Sequence, residues 1–205
     1  MTPYYSHAGI TIYHGDCREV MEEWEGLRCK PFDLLLTDPP YGIYACGGKW
    51  GKKDALQWDR EPTTCLPQLL ALARSAIIWG GNYYSLAPSR GWLVWRKPDR
   101  VASAADVELA WTSFDMNARY FEWSIGATNA EREGHPTQKP LAVMRWSLSF
   151  APTARTVFDP FMGVGTTLVA AKRIGKQATG IEIDERYCEI TAKRLSQEVL
   201  PLEYA

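Results

Sequence analysis

The stretch TDPPYG, residues 37 to 42, places Asp38 and Tyr41 on either side of two prolines, directly after an apolar run. Pro39 and Pro40 fix their own φ, and each restricts the residue before it to extended backbone. The turn is therefore stiff, and it holds a carboxylate and an aromatic ring at the end of a strand. Such a turn is either a preorganised binding site or a rigid structural turn whose acid has no function.

A second stretch, TVFDPFMGVGTT, residues 156 to 167, also carries residues suited to chemistry. Asp159 ends its apolar run, Gly163 and Gly165 follow in the turn, and Thr166 can cap the next helix. Glycines let the backbone approach a ligand closely, and a helix amino terminus supplies free N–H groups. The pattern is typical of a ligand-binding turn, although a plain strand-to-helix connection has the same composition.

Glu182 lies about 20 residues beyond this turn, where open α/β nucleotide sites place the carboxylate that binds ribose hydroxyls. The turn lacks the three-glycine dinucleotide fingerprint and the GK[ST] of a phosphate loop. Asp159 lies where a pyrophosphate would disfavour negative charge, but an acid there suits a cationic amino group. S-adenosylmethionine, an amino acid joined to a nucleoside, has the composition that these two acids require.

Alternating strand and helix patterns predict a doubly wound α/β sheet that carries both turns. The predicted strands are residues 9–14, 32–37, 76–79, WLVWRKP from residue 92, VELAWTSF from about residue 107, 156–158 and 178–183. The predicted helices are residues 17–25, 66–75, 141–150, 166–174 and 185–198. Residues 114–138 match neither pattern.

Length and composition predict one domain, residues 1–205, of a globular protein. The chain has 46% hydrophobic and 23% charged residues and a formal net charge of −1, which identifies no partner. The five cysteines form no CxxC pair and have no histidine at metal-ligand spacing, so we expect reduced thiols and no metal. The amino terminus does not have the pattern of a signal peptide, and no run reaches membrane-spanning length, so we expect a cytoplasmic protein.

Four motifs occur in the order HGD, TDPPYG, HPTQKP and DPFMGVGTT, at residues 14–16, 37–42, 135–140 and 159–167. In this order they resemble the β group of amino-methylating DNA methyltransferases, and the resemblance covers nearly the whole chain. It implies a Rossmann-like S-adenosylmethionine-dependent methyltransferase fold. The sheet of that fold is circularly permuted and mostly parallel, with seven strands and one antiparallel edge strand.

The resemblance also implies roles for the residues that match its motifs. Residues around the methionine part of S-adenosylmethionine would be Asp159, Phe161, Gly163 and Gly165, with Thr166 beside them. Glu182 would bind the ribose, Asp16 would lie near the adenine, and Thr137 and Lys139 would approach the carboxylate. Met162 departs from the family pattern, in which a small residue such as alanine is common, and this affects the fit of the turn.

For the stiff turn, the resemblance implies catalysis on an exocyclic amine. The Asp38 carboxylate and the Pro39 carbonyl would accept hydrogen bonds from the amine and aim its lone pair at the sulfonium methyl. Pro40 would add rigidity, and Tyr41 would stack on a base flipped out of double-stranded DNA. Aspartate before Pro-Pro-Tyr leans toward N6 of adenine in this family, whereas serine leans toward N4 of cytosine. Cytosine remains the alternative because the two amines react alike.

Two segments are predicted to recognise the target, residues 42–62 and residues 114–135. The first combines Lys49, Lys52, Lys53 and Arg60 with Trp50 and Trp58, a mixture suited to phosphate contact and base stacking. A solvated loop is the alternative for any one of these residues. With so little chain outside the sheet, we expect a short recognition sequence, loose specificity or a homodimer. Any restriction endonuclease partner would be a separate chain.

Other classes of protein remain as contrasts. A catalytically silent module that binds DNA or the cofactor would be favoured by damage to Asp38, Tyr41 or the glycines, and none is damaged. A nucleotide-dependent dehydrogenase is disfavoured by the incomplete glycine fingerprint. Methyltransferases for RNA or protein glutamine usually carry asparagine before Pro-Pro and place the cofactor motif first.

Overall fold

The computed structural model describes residues 2–25, 31–42, 62–99, 105–135 and 137–197. The strands in these residues are β1 (Tyr5–His7), β2 (Ile10–His14), β3 (Phe32–Thr37), β4 (Ala73–Trp79), β5 (Trp92–Arg96), β6 (Val107–Thr112), β7 (Arg119–Glu122), β8 (Thr156–Asp159) and β9 (Gln177–Glu182). The helices are α1 (Cys17–Glu25), α2 (Leu66–Ala71), α3 (Ile125–Ala130), α4 (Leu141–Ser149), α5 (Thr166–Arg173) and α6 (Glu185–Ser196). A 3₁₀ turn spans Gly81–Tyr83.

All of these strands belong to one sheet, in the order β1-β2-β9-β8-β3-β4-β6-β5-β7. The strands β2, β9, β8, β3 and β4 run parallel, whereas β6 is antiparallel to both of its neighbours, β4 and β5. The carboxyl ends of the parallel strands and the amino end of β6 therefore meet at one edge of the sheet. The predicted α/β fold is confirmed, and this edge is where open α/β sheets bind ligands.

The core explains why β3 could be predicted to its exact residues. Leu34 and Leu36 face a cluster formed with α4, α5 and α6, whereas Leu35 faces a cluster formed with α1 and α2. All three leucines are fully buried because helices cover both faces of the sheet. A strand buried on both faces appears in the sequence as a continuous apolar run rather than as an alternating pattern.

The sheet has two more strands in the described residues than the seven expected, because short strands extend both edges. The additions are β1, which pairs only with β2, and β7, which pairs only with β5. Their segments, YSH and RYFE, are mostly exposed and carry little hydrophobic signal. The antiparallel strand at an edge of this sheet is β1, whereas β6, which is also antiparallel to its neighbours, lies inside the sheet between β4 and β5.

Most predicted element ends agree with the structure within two residues, and the largest difference lies between α2 and β4. The helix predicted for residues 66–75 ends at Ala71, and β4 begins at Ala73 rather than at residue 76. Ala73 and Ser75 pair with β3, so sheet pairing overrides the local helical pattern. The unassigned residues 114–138 contain β7 and α3.

Residues 43–61, which include nearly all of the first predicted recognition segment, lie outside the described residues. The second segment, residues 114–135, is anchored where the Asp99 carboxylate accepts the amides of Ile125 and Gly126 at the start of α3. Among the described cysteines, Cys17, Cys65 and Cys188 carry free thiols. No helix in the described ranges combines the length and apolar character that crossing a bilayer requires.

Candidate active site

A cavity of about 1260 Å³ opens at the carboxyl edge of the parallel strands. It exceeds the roughly 300–1,000 Å³ that is usual for one small ligand, so it has room for two. The predicted site residues that line it are Asp16, Asp38, Pro39, Pro40, Tyr41, Thr137, Lys139, Asp159, Phe161, Gly163, Thr166 and Glu182. The remaining predicted residue, Gly165, lies behind this wall against α6, where an added Cβ would overlap the Thr191 side chain.

The turn after β3 is held on both sides. The buried Thr37 hydroxyl donates to Asp159 Oδ1 at 2.8 Å, which joins the end of β3 to the end of β8. The Pro40 carbonyl accepts hydrogen bonds from the Tyr84 hydroxyl and from the Thr63 amide. The stiffness that the prolines supply is thus reinforced by contacts from two other segments.

The Tyr41 ring has a defined position. Its hydroxyl donates to Asp38 Oδ1, and its ring stacks on Tyr83 with 5.0 Å between centroids. Gly80, at φ +69°, allows the ring to lie against the backbone, since an added Cβ would overlap the ring carbons of Tyr41. Tyr83 is 46% exposed, so this aromatic pair lies at the cavity mouth, where a planar base could reach it.

Lys139 lies at the centre of a buried ionic cluster. Its ammonium is 2.7 Å from Asp38 Oδ2, 2.9 Å from Glu108 Oε2 and 3.1 Å from the Tyr41 hydroxyl. Lys97 donates to the other carboxylate oxygen of Glu108. We call Asp38, Tyr41, Lys97, Glu108 and Lys139 the lysine cluster. It joins the end of β3 to the amino end of β6 and to the HPTQKP motif.

The charges in the lysine cluster set its protonation. Burial raises the pKa of Asp38, and the Lys139 ammonium opposes that effect. Burial acts against the charged forms of Lys139 and Glu108 too. Nevertheless, the two carboxylates hold the pKa of Lys139 well above its usual value, and Lys139 and Lys97 lower the pKa of Glu108 to about 2. The cluster thus keeps Glu108 charged beside the Lys139 ammonium, and the same ammonium favours the charged form of Asp38 against the effect of burial.

The glycine-rich turn holds its acid with neutral hydrogen-bond donors. Asp159 is 2% exposed, and its Oδ1 accepts the Phe161 amide at 3.2 Å in addition to the Thr37 hydroxyl. Burial raises the pKa of Asp159 to about 6. This carboxylate gains from a cation that enters the cavity, because it is buried and ion pairing would offset the loss of hydration.

Glu182 and Asp16 lie side by side because β2 pairs with β9, with His14 opposite Glu182. The Glu182 carboxylate accepts the amides of Gly163 and Asp184, both at 2.9 Å, and burial raises its pKa. Asp16 is held by Arg18, whose guanidinium contacts both carboxylate oxygens and lowers the pKa of Asp16. Two acceptor groups therefore face the cavity at fixed positions.

These residues fit S-adenosylmethionine. Glu182 and Asp16 offer carboxylate oxygens as hydrogen-bond acceptors for the nucleoside, and Asp159 offers a buried negative charge to an amino group. Within the described part of the chain, the buried Thr166 hydroxyl has no hydrogen-bond partner, so it is available to a polar group of a ligand. Gly163 leaves the turn open, and an added Cβ would come within 3.6 Å of the His135 ring.

Sequence reasoning missed several residues at the cavity, above all Glu108, Lys97, Tyr83 and His135. Glu108 was recognisable only as a charge inside the apolar strand VELAWT. His135 begins HPTQKP, and its Nδ1 accepts the Thr137 amide at 3.3 Å if it is unprotonated. Burial lowers the pKa of His135 to about 4, so the ring is neutral at pH 7.

Comparison with known families gives the class of protein. The family model described as DNA methylase, for N6 and N4 methyltransferases, matches residues 90–193. The chain belongs to this family, and the resemblance inferred from the four motifs is confirmed. Because the matched range includes HPTQKP and the glycine-rich turn, the family match covers much of the cavity wall.

Particular relatives extend the match along the chain. The Type II methyltransferase M2.LlaDCHI of Lactococcus lactis subsp. cremoris is 25% identical, over 95% of this chain and 92% of its own length. The Type II methyltransferase M2.DpnII of Streptococcus pneumoniae is also 25% identical, over 96% of this chain and 93% of its own length.

Solved structures share the fold. The complex of M1.HpyAVI with SAM has a TM-score of 0.62 at 23% identity, over 92% of this chain and all of that one. The cytosine-N4-specific PvuII DNA methyltransferase has a TM-score of 0.58 at 16% identity, over 97% of this chain and 90% of that one. At these identities the likeness establishes the Rossmann-like methyltransferase fold alone.

Proposed function

We propose that this protein transfers a methyl group from S-adenosylmethionine to the exocyclic N6 amine of adenine in double-stranded DNA. The observation that carries the proposal is the cavity itself. It brings Asp38 and Tyr41 of the stiff turn together with Asp159, Gly163 and Glu182 of the cofactor motif. Membership in a DNA methylase family fits this arrangement.

In this function Glu182 binds the ribose hydroxyls, Asp16 lies beside the adenine of the cofactor, and Asp159 pairs with its amino group. Phe161, Gly163 and Thr166 line the methionine part, and Gly165 lets α5 approach α6 closely. Bound S-adenosylmethionine supplies an electrophilic methyl on a sulfonium, which departs as a neutral thioether. The residue assignments for Thr137 and Lys139 at the cofactor carboxylate stay predictions, and the position of Lys139 is considered below.

The stiff turn prepares the target amine. An exocyclic amine is a poor nucleophile because its lone pair is delocalised into the ring. When Asp38 and the Pro39 carbonyl accept its N–H groups, the nitrogen is held with its lone pair toward the methyl. The nitrogen forms the new bond to the methyl carbon as the carbon–sulfur bond breaks, and it then loses a proton to water. Tyr41 stacks on the base, and the rigid backbone at Pro40 keeps these groups in place.

The target base must leave the duplex to reach this cavity. The cavity volume of about 1260 Å³ supports simultaneous binding of the cofactor and a flipped nucleotide. Stacking between the base and the aromatic pair at the mouth would offset part of the unstacking cost, at about 1–3 kcal/mol per base. Tyr41 and Tyr83 would provide that surface.

Adenine is favoured by Asp38, since aspartate before Pro-Pro-Tyr leans toward adenine in this family. The fold does not discriminate, because a cytosine-N4-specific enzyme shares it. Methylation of cytosine N4 is the second candidate and would use the same residues in the same roles.

The remaining expectations concern organisation and partners. The chain acts as one methyltransferase domain, with DNA recognition by the segments around residues 42–62 and 114–135. A homodimer, a short recognition sequence and loose specificity remain predictions. The Type II relatives suggest a role in restriction-modification, with any endonuclease on another chain.

The deciding experiment identifies the methylated nucleoside. Purified protein is incubated with isotope-labelled S-adenosylmethionine and mixed-sequence duplex DNA, and the DNA is digested and analysed by mass. Labelled N6-methyladenine is expected, and labelled N4-methylcytosine would keep the mechanism and reverse the base. If the protein binds the cofactor but no DNA is labelled, the proposal is wrong, and RNA or protein substrates come next.

A further inference from the structure

Two hydrogen bonds and an ion pair surround the Lys139 ammonium. A lysine ammonium has three donors, and those of Lys139 meet three acceptors within 3.1 Å: Asp38, Glu108 and Tyr41. Its side chain is only 6% exposed. A cofactor carboxylate could bind this ammonium only by displacing one of these three buried partners.

With Glu108 included, the positive and negative charges of the lysine cluster balance. Asp38 and Glu108 contribute two negative charges, and Lys139 and Lys97 contribute two positive charges, so the lysine cluster is neutral without the cofactor. Two carboxylates that share a site repel each other, and one of them would protonate without the ammonium between them. Lys139 therefore favours the charged form of Asp38, which burial and Glu108 oppose.

The same contacts fix the direction of the Asp38 carboxylate. Oδ2 accepts Lys139 and Oδ1 accepts the Tyr41 hydroxyl, so the carboxylate cannot rotate without breaking one of these bonds. A carboxylate has about four lone-pair positions, so each oxygen retains one for a substrate N–H group. A charged and oriented acceptor is what a poorly nucleophilic amine needs.

We infer that Lys139 and Glu108 are positioning residues for Asp38, and that Lys139 serves the target amine rather than the cofactor carboxylate. This inference rests on the proposed function, in which Asp38 accepts the amine. Glu108 is a second carboxylate partner of Lys139, 2.9 Å from its ammonium, so the ammonium stays in place when the amine also binds Asp38. Lys97 neutralises Glu108 and completes the cluster.

The first test measures binding and does not depend on DNA. Dissociation constants are measured by calorimetry for S-adenosylmethionine and for 5′-deoxy-5′-methylthioadenosine, which lacks the amino-acid carboxylate. Wild type, Lys139→Met and the control Glu108→Gln are compared. We expect the ratio of the two constants to change less than about threefold in each variant. A selective loss of S-adenosylmethionine affinity in Lys139→Met of tenfold or more, about 1.4 kcal/mol, would place Lys139 on the cofactor carboxylate and overturn the inference.

The second test uses single-turnover methylation at saturating cofactor and DNA. Lys139→Met leaves two carboxylates together without their ammonium, so we expect the rate to fall about 100-fold, as for a misplaced reacting group. Glu108→Gln should lower it about tenfold, since Lys139 then has one carboxylate to hold. The double variant should react faster than Lys139→Met alone, because Asp38 loses the neighbour that repels it.

A merely structural role for these residues predicts a different pattern. In that case the two substitutions would lower the rate independently, and the double variant would be the slowest protein, which would contradict the inference. Thermal unfolding of each variant separates loss of fold from loss of rate. If Lys139→Met does not fold, Glu108→Gln and Lys97→Met carry the rate test, because both should slow the reaction without changing cofactor affinity. A wild type that binds the cofactor but does not label DNA would refute the proposed function, whereas the binding test would still decide which group Lys139 holds.

Discussion

Asp38 on the amine side of the cavity and Glu182 on the cofactor side are held by different means. On the amine side, Asp38 is held by side chains, the Tyr41 hydroxyl and the Lys139 ammonium. On the cofactor side, Glu182 is held by the backbone amides of Gly163 and Asp184. Backbone donors stay in place for as long as the turn keeps its shape, whereas the side-chain donors depend on residues from separate segments. The cofactor half should therefore tolerate side-chain changes that disable the amine half.

The first prediction tests the independence of the two halves. Asp38→Ala should lower the rate of methyl transfer by about 10²–10³-fold or more, the range for losing a transition-state hydrogen-bond partner. Cofactor affinity should stay within about twofold, because Glu182 and Asp159, and not Asp38, are the carboxylates proposed to bind S-adenosylmethionine. The rate is measured in single turnover and the affinity by calorimetry.

Asp38→Asn is the matched variant, because it keeps the size of the side chain and removes its charge. It should retain more rate than alanine, since an amide oxygen can still accept an N–H group. Joint loss of turnover and cofactor affinity in a folded Asp38→Ala protein would show that the division of roles is wrong.

The second prediction uses two glycines with nearly the same positive φ. Gly165 has φ +72° and an added Cβ would overlap Thr191, whereas Gly175 has φ +71° and meets no described atom within 4 Å. Gly165→Ala should lower the free energy of unfolding by about 2–6 kcal/mol, from left-handed strain and from overpacking. Gly175→Ala carries the strain alone, at about 1–3 kcal/mol.

Urea unfolding of both variants isolates the overlap with Thr191 as the difference between them. Gly165→Ala should also weaken cofactor binding, because Thr191 donates to the Gly163 carbonyl and would shift the turn. Equal losses of stability in the two variants would show that Gly165 does not govern the packing of α5 against α6.

The third prediction disturbs the amine half through a glycine. Gly80→Ala places a methyl group where the Tyr41 ring lies, at a backbone φ of +69°. Displacement of Tyr41 removes a donor from Asp38 and the stacking surface for the base, so kcat/KM for DNA should fall about 10- to 100-fold. Cofactor affinity should change little.

Gly81→Ala is a useful comparison, because its added Cβ would meet Trp111 rather than Tyr41. Gly81→Ala should lower the free energy of unfolding, and it should change kcat/KM for DNA less than Gly80→Ala does. If Gly80→Ala kept wild-type kcat/KM, Tyr41 would have no role in placing the base.

The contrast between backbone donors from a nearby turn and side-chain donors from distant segments also explains which contacts the sequence could predict. The Gly163 amide and Glu182 are 19 residues apart, and two adjacent β/α units place them together, so a local motif predicts the contact. Lys139 and Asp38 are 101 residues apart, and their contact depends on where the segment after α3 crosses the sheet edge. Glu108 requires in addition that β6 runs antiparallel, which brings its amino end to this edge. Motif spacing carries no information about such crossings.

The same reasoning applies to the fold. The buried strand β3 was predicted residue by residue because burial on both faces leaves a strong pattern, and β7 was missed because an exposed edge leaves almost none. The start of β4 was missed because Ala73 and Ser75 take their conformation from pairing with β3. Tertiary pairing, rather than local propensity, decided each of these differences.

The last prediction concerns the pH dependence of cofactor binding and tests the role of Asp159. Asp159 has a pKa of about 6 in the folded protein because it is buried, above the roughly 3.9 expected in an unfolded chain. If its anion binds the amino group of the cofactor, the affinity for S-adenosylmethionine should fall about tenfold between pH 7 and pH 5. Asp159→Asn should bind weakly at both values, and Glu182→Gln should keep the pH dependence, because it leaves Asp159 intact.

Stability without the cofactor should show the opposite sign. The folded protein binds the Asp159 proton more tightly than the unfolded chain does, so this group favours folding below about pH 4, and that contribution is lost as pH rises through about 6. Asp159→Asn should therefore be more stable than wild type above pH 6, by on the order of 2 kcal/mol, with the difference vanishing near pH 4. Urea unfolding across this range checks the sign. A variant less stable than wild type at pH 7 would mean that the Thr37 and Phe161 hydrogen bonds outweigh the burial of the charge.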